Sequence, residues 1–182
     1  MKFDTSIVQT VFESPLGTMT LAATDRGLAG VWFAGQRHLP AALAQPPVVT
    51  TWPRADDHAL LQQAAAQLTQ YFAGERSHFD LPLDVSGGTL FQQAVWQALL
   101  TIEPGHTCSY SAISQQIGKP AAVRAVGAAI GRNPISIVVP CHRVLGRSGS
   151  LTGYAGGLAR KQALLQLEKA ELTATPAAER WL

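Results

Sequence analysis

The run Ser111-Ala112-Ile113-Ser114-Gln115-Gln116-Ile117, followed by Gly118-Lys119-Pro120 and then by Ala121-Ala122-Val123-Arg124-Ala125-Val126-Gly127-Ala128-Ala129-Ile130, decides how the second half of the chain folds. Ile113 and Ile117 recur at helical spacing, Gly118-Lys119-Pro120 reads as a tight turn, and residues 121–130 read as a further helix. Two short helices joined by a glycine-containing turn are a helix-turn-helix pattern. The second helix is made almost wholly of small residues, from which Arg124 projects. Small side chains permit close backbone approach, either to another helix or to a nucleic-acid groove. Tight helix packing accounts for the alanines equally well, but accounts less well for a lone arginine among them.

On the amino-terminal side of this run, Thr89 and Gln92 form a capping-box pattern, and Phe91, Val95, Leu99 and Ile102 lie on one helical face before Pro104-Gly105. On the carboxy-terminal side, residues 135–139 read as an apolar strand, 145–152 as a polar turn region and 158–168 as a last helix. Between strand and turn region stands Pro140-Cys141-His142-Arg143-Val144. A thiol and an imidazole are adjacent there, a proline fixes the backbone before them, and an arginine adds positive charge after them. Such surroundings are expected to favour the thiolate, which is the nucleophilic form.

The first half reads differently. Residues 8–12, 19–23 and 28–33 are short β-prone runs separated by the turn signals Ser14-Pro15-Leu16-Gly17 and Thr24-Asp25-Arg26-Gly27, which predicts a meander. Residues 35–53 contain four prolines and read as a surface loop. A helix is expected over 57–72, capped by Asp56 or Asp57 and stopped at Gly74, with a returning strand over 79–83. Ser86-Gly87-Gly88 reads as a hinge. The expected division is residues 1–85, 86–171 and a tail, 172–182, rich in Ala, Thr and Pro that frays.

At 182 residues, 47% hydrophobic and with mean hydropathy +0.10, the composition is that of a folded soluble protein. No apolar run approaches the ~18 residues of a membrane span, and Met1-Lys2-Phe3-Asp4 is not expected to open a signal peptide. Two cysteines, Cys108 and Cys141, make no disulfide framework, so the expected location is a reducing cytoplasm. The net charge of +2 hides a division: residues 1–85 carry 5 Lys+Arg against 8 Asp+Glu, and residues 86–182 carry 9 against 4. From Ser86 to Leu167 the only acid is Glu103, against Lys119, Arg124, Arg132, Arg143, Arg147, Arg160 and Lys161. An acid-poor half suits a polyanion-binding surface, and an ordinary basic surface remains the alternative.

From Phe91 to Glu168 the chain closely resembles the O6-alkylguanine-DNA alkyltransferases, the methylated-DNA–protein-cysteine methyltransferases, most of all the bacterial constitutive type. The matching pieces are Phe91-Gln92 with Val95-Trp96, Ser109-Tyr110, Arg124-Ala125-Val126-Gly127, Arg132-Asn133-Pro134, Ile137 through Val144, and Gly153-Tyr154-Ala155-Gly156-Gly157. The first half matches more loosely, through its meander-plus-helix layout and Ser14-Pro15-Leu16-Gly17. The resemblance implies an RNase H-like α/β amino-terminal domain followed by a winged-helix (helix-turn-helix) carboxy-terminal domain. It implies repair of duplex DNA, in which the alkyl group of O6-alkylguanine, and of O4-alkylthymine, passes irreversibly to the protein's own cysteine, once per molecule. No cofactor is called for, and the expected state is a monomer, with cooperative assembly on DNA left open.

The same resemblance assigns roles. Cys141 is the expected nucleophile, His142 takes its proton through a water, and Glu168 orients the imidazole. Tyr110 donates to the leaving base, and Asn133 holds the active-site turn. Val144, Tyr154, Ala155 and Trp96 are expected to line the base pocket. Many relatives carry serine where this chain has Ala155, which removes one hydrogen bond to the lesion oxygen. Arg124, with Ala125, Gly127, Ala128 and Tyr110, is expected to enter the minor groove, Arg124 filling the space of a base flipped out of the stack.

The amino-terminal half has no cysteine, so the structural zinc of some relatives is not expected, and His38, His58, His78 and His106 show no ligand spacing. Cys108 is expected to pack rather than react. Two rivals differ in class. A non-enzymatic relative that only binds alkylated DNA would replace the cysteine, commonly with tryptophan. A cysteine hydrolase would bring its cysteine and histidine from distant parts of the sequence.

Overall fold

The computed structural model describes residues 1–43 and 52–170. The expected tail and the middle of the proline-rich loop lie outside the described residues. The chain divides into two compact units, one made of Met1–Gly88 with Pro134–Val138 and the other of Thr89–Asn133 with the chain from Val139 onward.

In the first unit β1 (Val8–Ser14), β2 (Gly17–Thr24) and β3 (Gly27–Phe33) form an antiparallel meander in the order β1-β2-β3, with Val11 opposite Thr20 and Leu21 opposite Val31. The turn signals fall where the strands reverse. All seven residues of β3 are buried. On the face carrying Ala22 and Trp32, a cluster with Ile7 and Ala29 is covered by Phe3, Leu39, Leu43 and Trp52. Phe3 stands edge-on to Trp32 and Trp52, with ring centroids 5.8 and 5.0 Å away. Helix α1 (Ala59–Phe72) packs on the meander and buries Leu61, Ala64, Leu68 and Tyr71.

Three readings of the sequence differ from the structure. Helix α1 starts later than expected, with His58 as N-cap and no side-chain cap bond. Asp56 is engaged elsewhere, accepting from Thr10 Oγ1 at 2.5 Å and from Arg54 Nε. The returning strand over 79–83 shrinks to a single bridge between Leu28 and Leu83, where the Leu28 N–H reaches the Pro82 carbonyl at 2.8 Å. Pro82 has no N–H to extend the ladder. Residues 135–139 are buried but are not a strand: one parallel bridge joins Val31 to Ile135, and the backbone then turns at Ile137, where φ is +73°. The Val138 N–H closes onto the Ser136 carbonyl at 2.9 Å, a γ-turn with the rare positive φ, on a β-branched residue. Apolar character made this run look like a strand, and that property does not report φ.

The second unit is mainly helical. Helix α2 (Leu90–Leu99) carries the full capping box: Thr89 accepts from the Gln92 N–H and Gln92 accepts from the Thr89 N–H. A two-residue strand, β4 (Cys108–Ser109), leads into α3 (Tyr110–Gln116), whose N-cap Ser109 accepts from the Ala112 N–H. Gly118, at φ +67°, makes the turn; a single 3₁₀ turn, Pro120–Ala122, precedes α4 (Val123–Gly131). Val126, Ala129 and Ile130 form the buried face of α4, while Ala121, Arg124, Ala125 and Ala128 are exposed. Strand β5 (Val144–Leu145) pairs in parallel with β4, and α5 (Leu158–Leu167) ends the described fold. No helix among the described residues is long and apolar enough to cross a membrane.

Candidate active site

Cys141, His142 and Arg143 form one 3₁₀ turn. Pro140, at φ −82° and ψ 60°, centres a tight turn in which the Cys141 N–H donates to the Val139 carbonyl at 2.8 Å. Asn133, just beyond α4, donates from Nδ2 to the Val139 carbonyl at 2.8 Å and to Cys141 Sγ at 3.1 Å. One buried amide therefore fixes both the backbone and the sulfur of this turn.

His142 is fully buried and its Nε2 lies 2.9 Å from Glu168 Oε1. Glu168 closes the C-terminus of α5, and its side chain is 3% exposed. Arg143 grips the same carboxylate in bidentate fashion, Nε to Oε2 and Nη2 to Oε1 both at 2.8 Å, and its Nη1 donates to the Ile102 carbonyl. Burial alone would raise the Glu168 carboxyl, but the hydrogen bonds and charges of His142 and Arg143 hold it well below the usual carboxylate range. An ionised carboxylate only accepts, so His142 Nε2 carries the proton and Nδ1 keeps its lone pair. Nδ1 is buried and has no hydrogen-bond partner among the described residues. Burial also holds the imidazole below its ordinary value, against the pull of Glu168.

The expectation of a resting thiolate does not hold. Cys141 is 4% exposed, and burial pushes its thiol up, more than the Asn133 hydrogen bond and the nearby Lys161 charge pull it down. Arg143, credited with favouring the thiolate, spends its charge on Glu168. The cation nearest in effect to the sulfur is Lys161, which the sequence reading counted among the surface bases of the acid-poor segment. It is wholly buried instead, with Nζ donating to the carbonyls of Val144, Thr152 and Gly153 at 2.5, 2.7 and 3.3 Å. Of the seven bases in the acid-poor segment, Arg143 and Lys161 are thus internal, while Lys119, Arg124, Arg132 and Arg147 are exposed and Arg160 is half-buried.

Tyr110 opens α3, half-buried, with its hydroxyl donating to the Thr152 carbonyl at 3.2 Å and facing that of Gly153 at 3.4 Å. Burial raises the phenol, so it stays a donor across neutral pH. Gly127 passes close beneath its ring: a Cβ there would lie 3.7 Å from Tyr110 Cδ1. Val144 and Tyr154 are buried and Ala155 is half-buried. Trp96, expected in the base pocket, is 1% exposed and donates from Nε1 to the Ala129 carbonyl at 2.9 Å, which makes it a core tie between α2 and α4. Cys108 lies in β4 opposite Val144, and burial pushes its thiol up to about 12. Among the described residues no group of three His, Cys, Asp or Glu could hold a metal ion.

An α/β unit joined to a helical unit that buries a thiol beside an imidazole bonded to a carboxylate defines a class of cysteine-dependent protein. Comparison with known proteins gives the family. Residues 7–85 match the ribonuclease-like domain and residues 90–170 the DNA binding domain of 6-O-methylguanine DNA methyltransferase. The methylated-DNA–protein-cysteine methyltransferase of Mycobacterium tuberculosis is 49% identical over 162 residues, covering 89% of this chain and 92% of its own. That of Methanosarcina acetivorans is 45% identical, covering 87% and 96%. A crystal structure of M. tuberculosis OGT in complex with DNA superposes with a TM-score of 0.77 at 46% identity, over 94% of this chain and 95% of the other. The chain belongs to the methylated-DNA–protein-cysteine methyltransferase family, with a ribonuclease-like amino-terminal domain and a DNA-binding carboxy-terminal domain.

Proposed function

We propose that the protein repairs alkylated DNA by moving the alkyl group of O6-alkylguanine, and of O4-alkylthymine, onto Cys141. The observation that carries this reading is a pair of buried hydrogen-bonded links on adjacent residues, Asn133 to Cys141 Sγ and His142 to the Glu168 carboxylate that Arg143 also holds, with His142 Nδ1 left without a partner among the described residues. Burial favours the protonated thiol at rest. With a lesion bound, His142 Nδ1 accepts the Cys141 proton, relayed by a water, and Glu168 stabilises the imidazolium that results. The sulfur attacks the alkyl carbon, the S–C bond forms as the C–O bond breaks, and the electron pair leaves with the base. Tyr110, still protonated, meets the charge that develops on that base. The thioether has no route back to a thiol here, so each molecule acts once.

The DNA-binding reading rests on α3 and α4 as the helix-turn-helix of a winged-helix domain. The exposed small-residue face of α4, with Arg124 unpaired among the described residues, suits close approach to a minor groove. Flipping the base costs a few kcal/mol of lost stacking, which Arg124 offsets by entering the gap. Ala155 offers no side-chain donor to the lesion oxygen, which suits a pocket tolerant of both lesions. Titration of the protein with duplex carrying one O6-methylguanine tests the reading. The expected result is a sharp end point at one lesion repaired per protein; continued turnover, or binding with the lesion left intact, overturns it.

A further inference from the structure

We infer that Lys161 is a positioning residue for alkyl transfer: its buried ammonium clamps the strand after the nucleophile turn to the loop that seats the Tyr110 hydroxyl. The inference rests on the transfer reading above and adds a residue to it.

A buried ammonium is an expensive choice at this position. Lys161 is the fourth residue of α5, where the helix dipole opposes a positive charge, and its side chain is wholly buried. An apolar side chain of similar length would fill the space without either penalty. What the ammonium supplies is three donors for three carbonyls: Val144, directly after the Cys141–Arg143 turn, and Thr152 and Gly153, directly before Tyr154 and Ala155. Those last two carbonyls also face the Tyr110 hydroxyl. A single cation therefore sets the distance between the nucleophile turn, the loop and the phenol. Gly153 takes φ +50°, and a Cβ there would come within 3.2 Å of Tyr110 Oη, so the loop has little room to drift.

The titratable groups that face the ammonium are Cys141, Cys108 and His142, with Tyr110 sharing its acceptors. Burial brings Lys161 down to about 8, against the upward pull of the two thiols. Above that pH the neutral amine has two N–H donors for three carbonyls, and the clamp loosens.

The test measures single-turnover transfer from an O6-benzylguanine base and from a methylated duplex, across pH, for wild type, Lys161→Met and Lys161→Arg. Wild type is expected to transfer one group per protein at a rate that stops rising and falls above about pH 8. Lys161→Met should reach the same end point about tenfold or more slowly, on both substrates, without the alkaline fall and with duplex affinity unchanged. Lys161→Arg, charged throughout, should recover part of the rate and show no alkaline fall. Lys161→Met reacting at the wild-type rate, even with a lower melting temperature, overturns the inference alone. If neither variant folds, the wild-type profile decides: a rate still rising past about pH 9 overturns it. A wild-type protein that transfers nothing at any pH refutes the transfer reading, and this inference with it.

Discussion

Glu168→Gln removes the charge at the centre of the buried relay while nearly preserving its shape. In the native protein the carboxylate receives His142 Nε2 at 2.9 Å and two Arg143 nitrogens at 2.8 Å, and the three side chains are 3%, 0% and 7% exposed. Glutamine keeps one acceptor but turns an NH₂ group toward donors, leaving the buried guanidinium without a counter-charge. Breaking one partner of a buried pair costs about 3–5 kcal/mol. For a chain of this size that lowers the melting temperature by about 6–20 °C. Transfer should fall as well, because the imidazolium formed on taking the Cys141 proton loses its stabilising carboxylate. The sign with pH is fixed by the native shifts. Glu168 is held low, so its contribution is full above the unfolded value of about 4.3 and is lost as pH drops below it. His142 is also held low, so wild-type stability starts to fall below about 6.5, where the unfolded chain takes up a proton that the native chain refuses. The gap between wild type and Glu168→Gln should therefore narrow below about pH 4. Thermal unfolding by circular dichroism at pH 7 and pH 3.5, paired with single-turnover transfer, measures both effects. A variant within about 1 kcal/mol of wild type, transferring at the wild-type rate, would refute the role of this carboxylate.

Arg124→Ala should slow repair in duplex DNA while leaving reaction with a free benzylated base near wild type, and equal losses on both substrates would argue against a flipping role. Trp96→Phe should cost about 0.5–1.5 kcal/mol by removing the indole hydrogen bond to the Ala129 carbonyl, which keeps the Arg132 N–H, with the preference between methyl and benzyl substrates unchanged; altered preference at unchanged stability would return Trp96 to the pocket. Thr89→Ala, which breaks the capping box of α2, should cost about 1 kcal/mol in urea unfolding and leave transfer intact.

Local signals explain what could be read from the sequence. The meander announced itself through short β-prone runs separated by turn residues, and the α2 capping box through Thr89 and Gln92, three positions apart. What escaped was set by partners far along the chain. Asp56 looked like a helix cap until Thr10 and Arg54 claimed it. Residues 135–139 looked like a strand because apolar character is shared by strands and by the tight turn at Ile137. Arg143 and Lys161 looked like surface charges because nothing local marks a base as internal: their partners lie 25 and up to 17 residues away. Glu168 entered the site through family resemblance alone, since a lone acid at a helix end is ordinarily solvated. The high thiol of Cys141 follows from burial, which no pattern of neighbours in sequence reports.

The central claim is that one of two cysteines accepts the alkyl group. Wild-type protein incubated with a duplex carrying a single O6-methylguanine, then digested and mapped by mass, should show the Cys141 peptide heavier by one methyl group and the Cys108 peptide unchanged. An unmodified Cys141 peptide from a sample whose lesion has been removed would contradict the account.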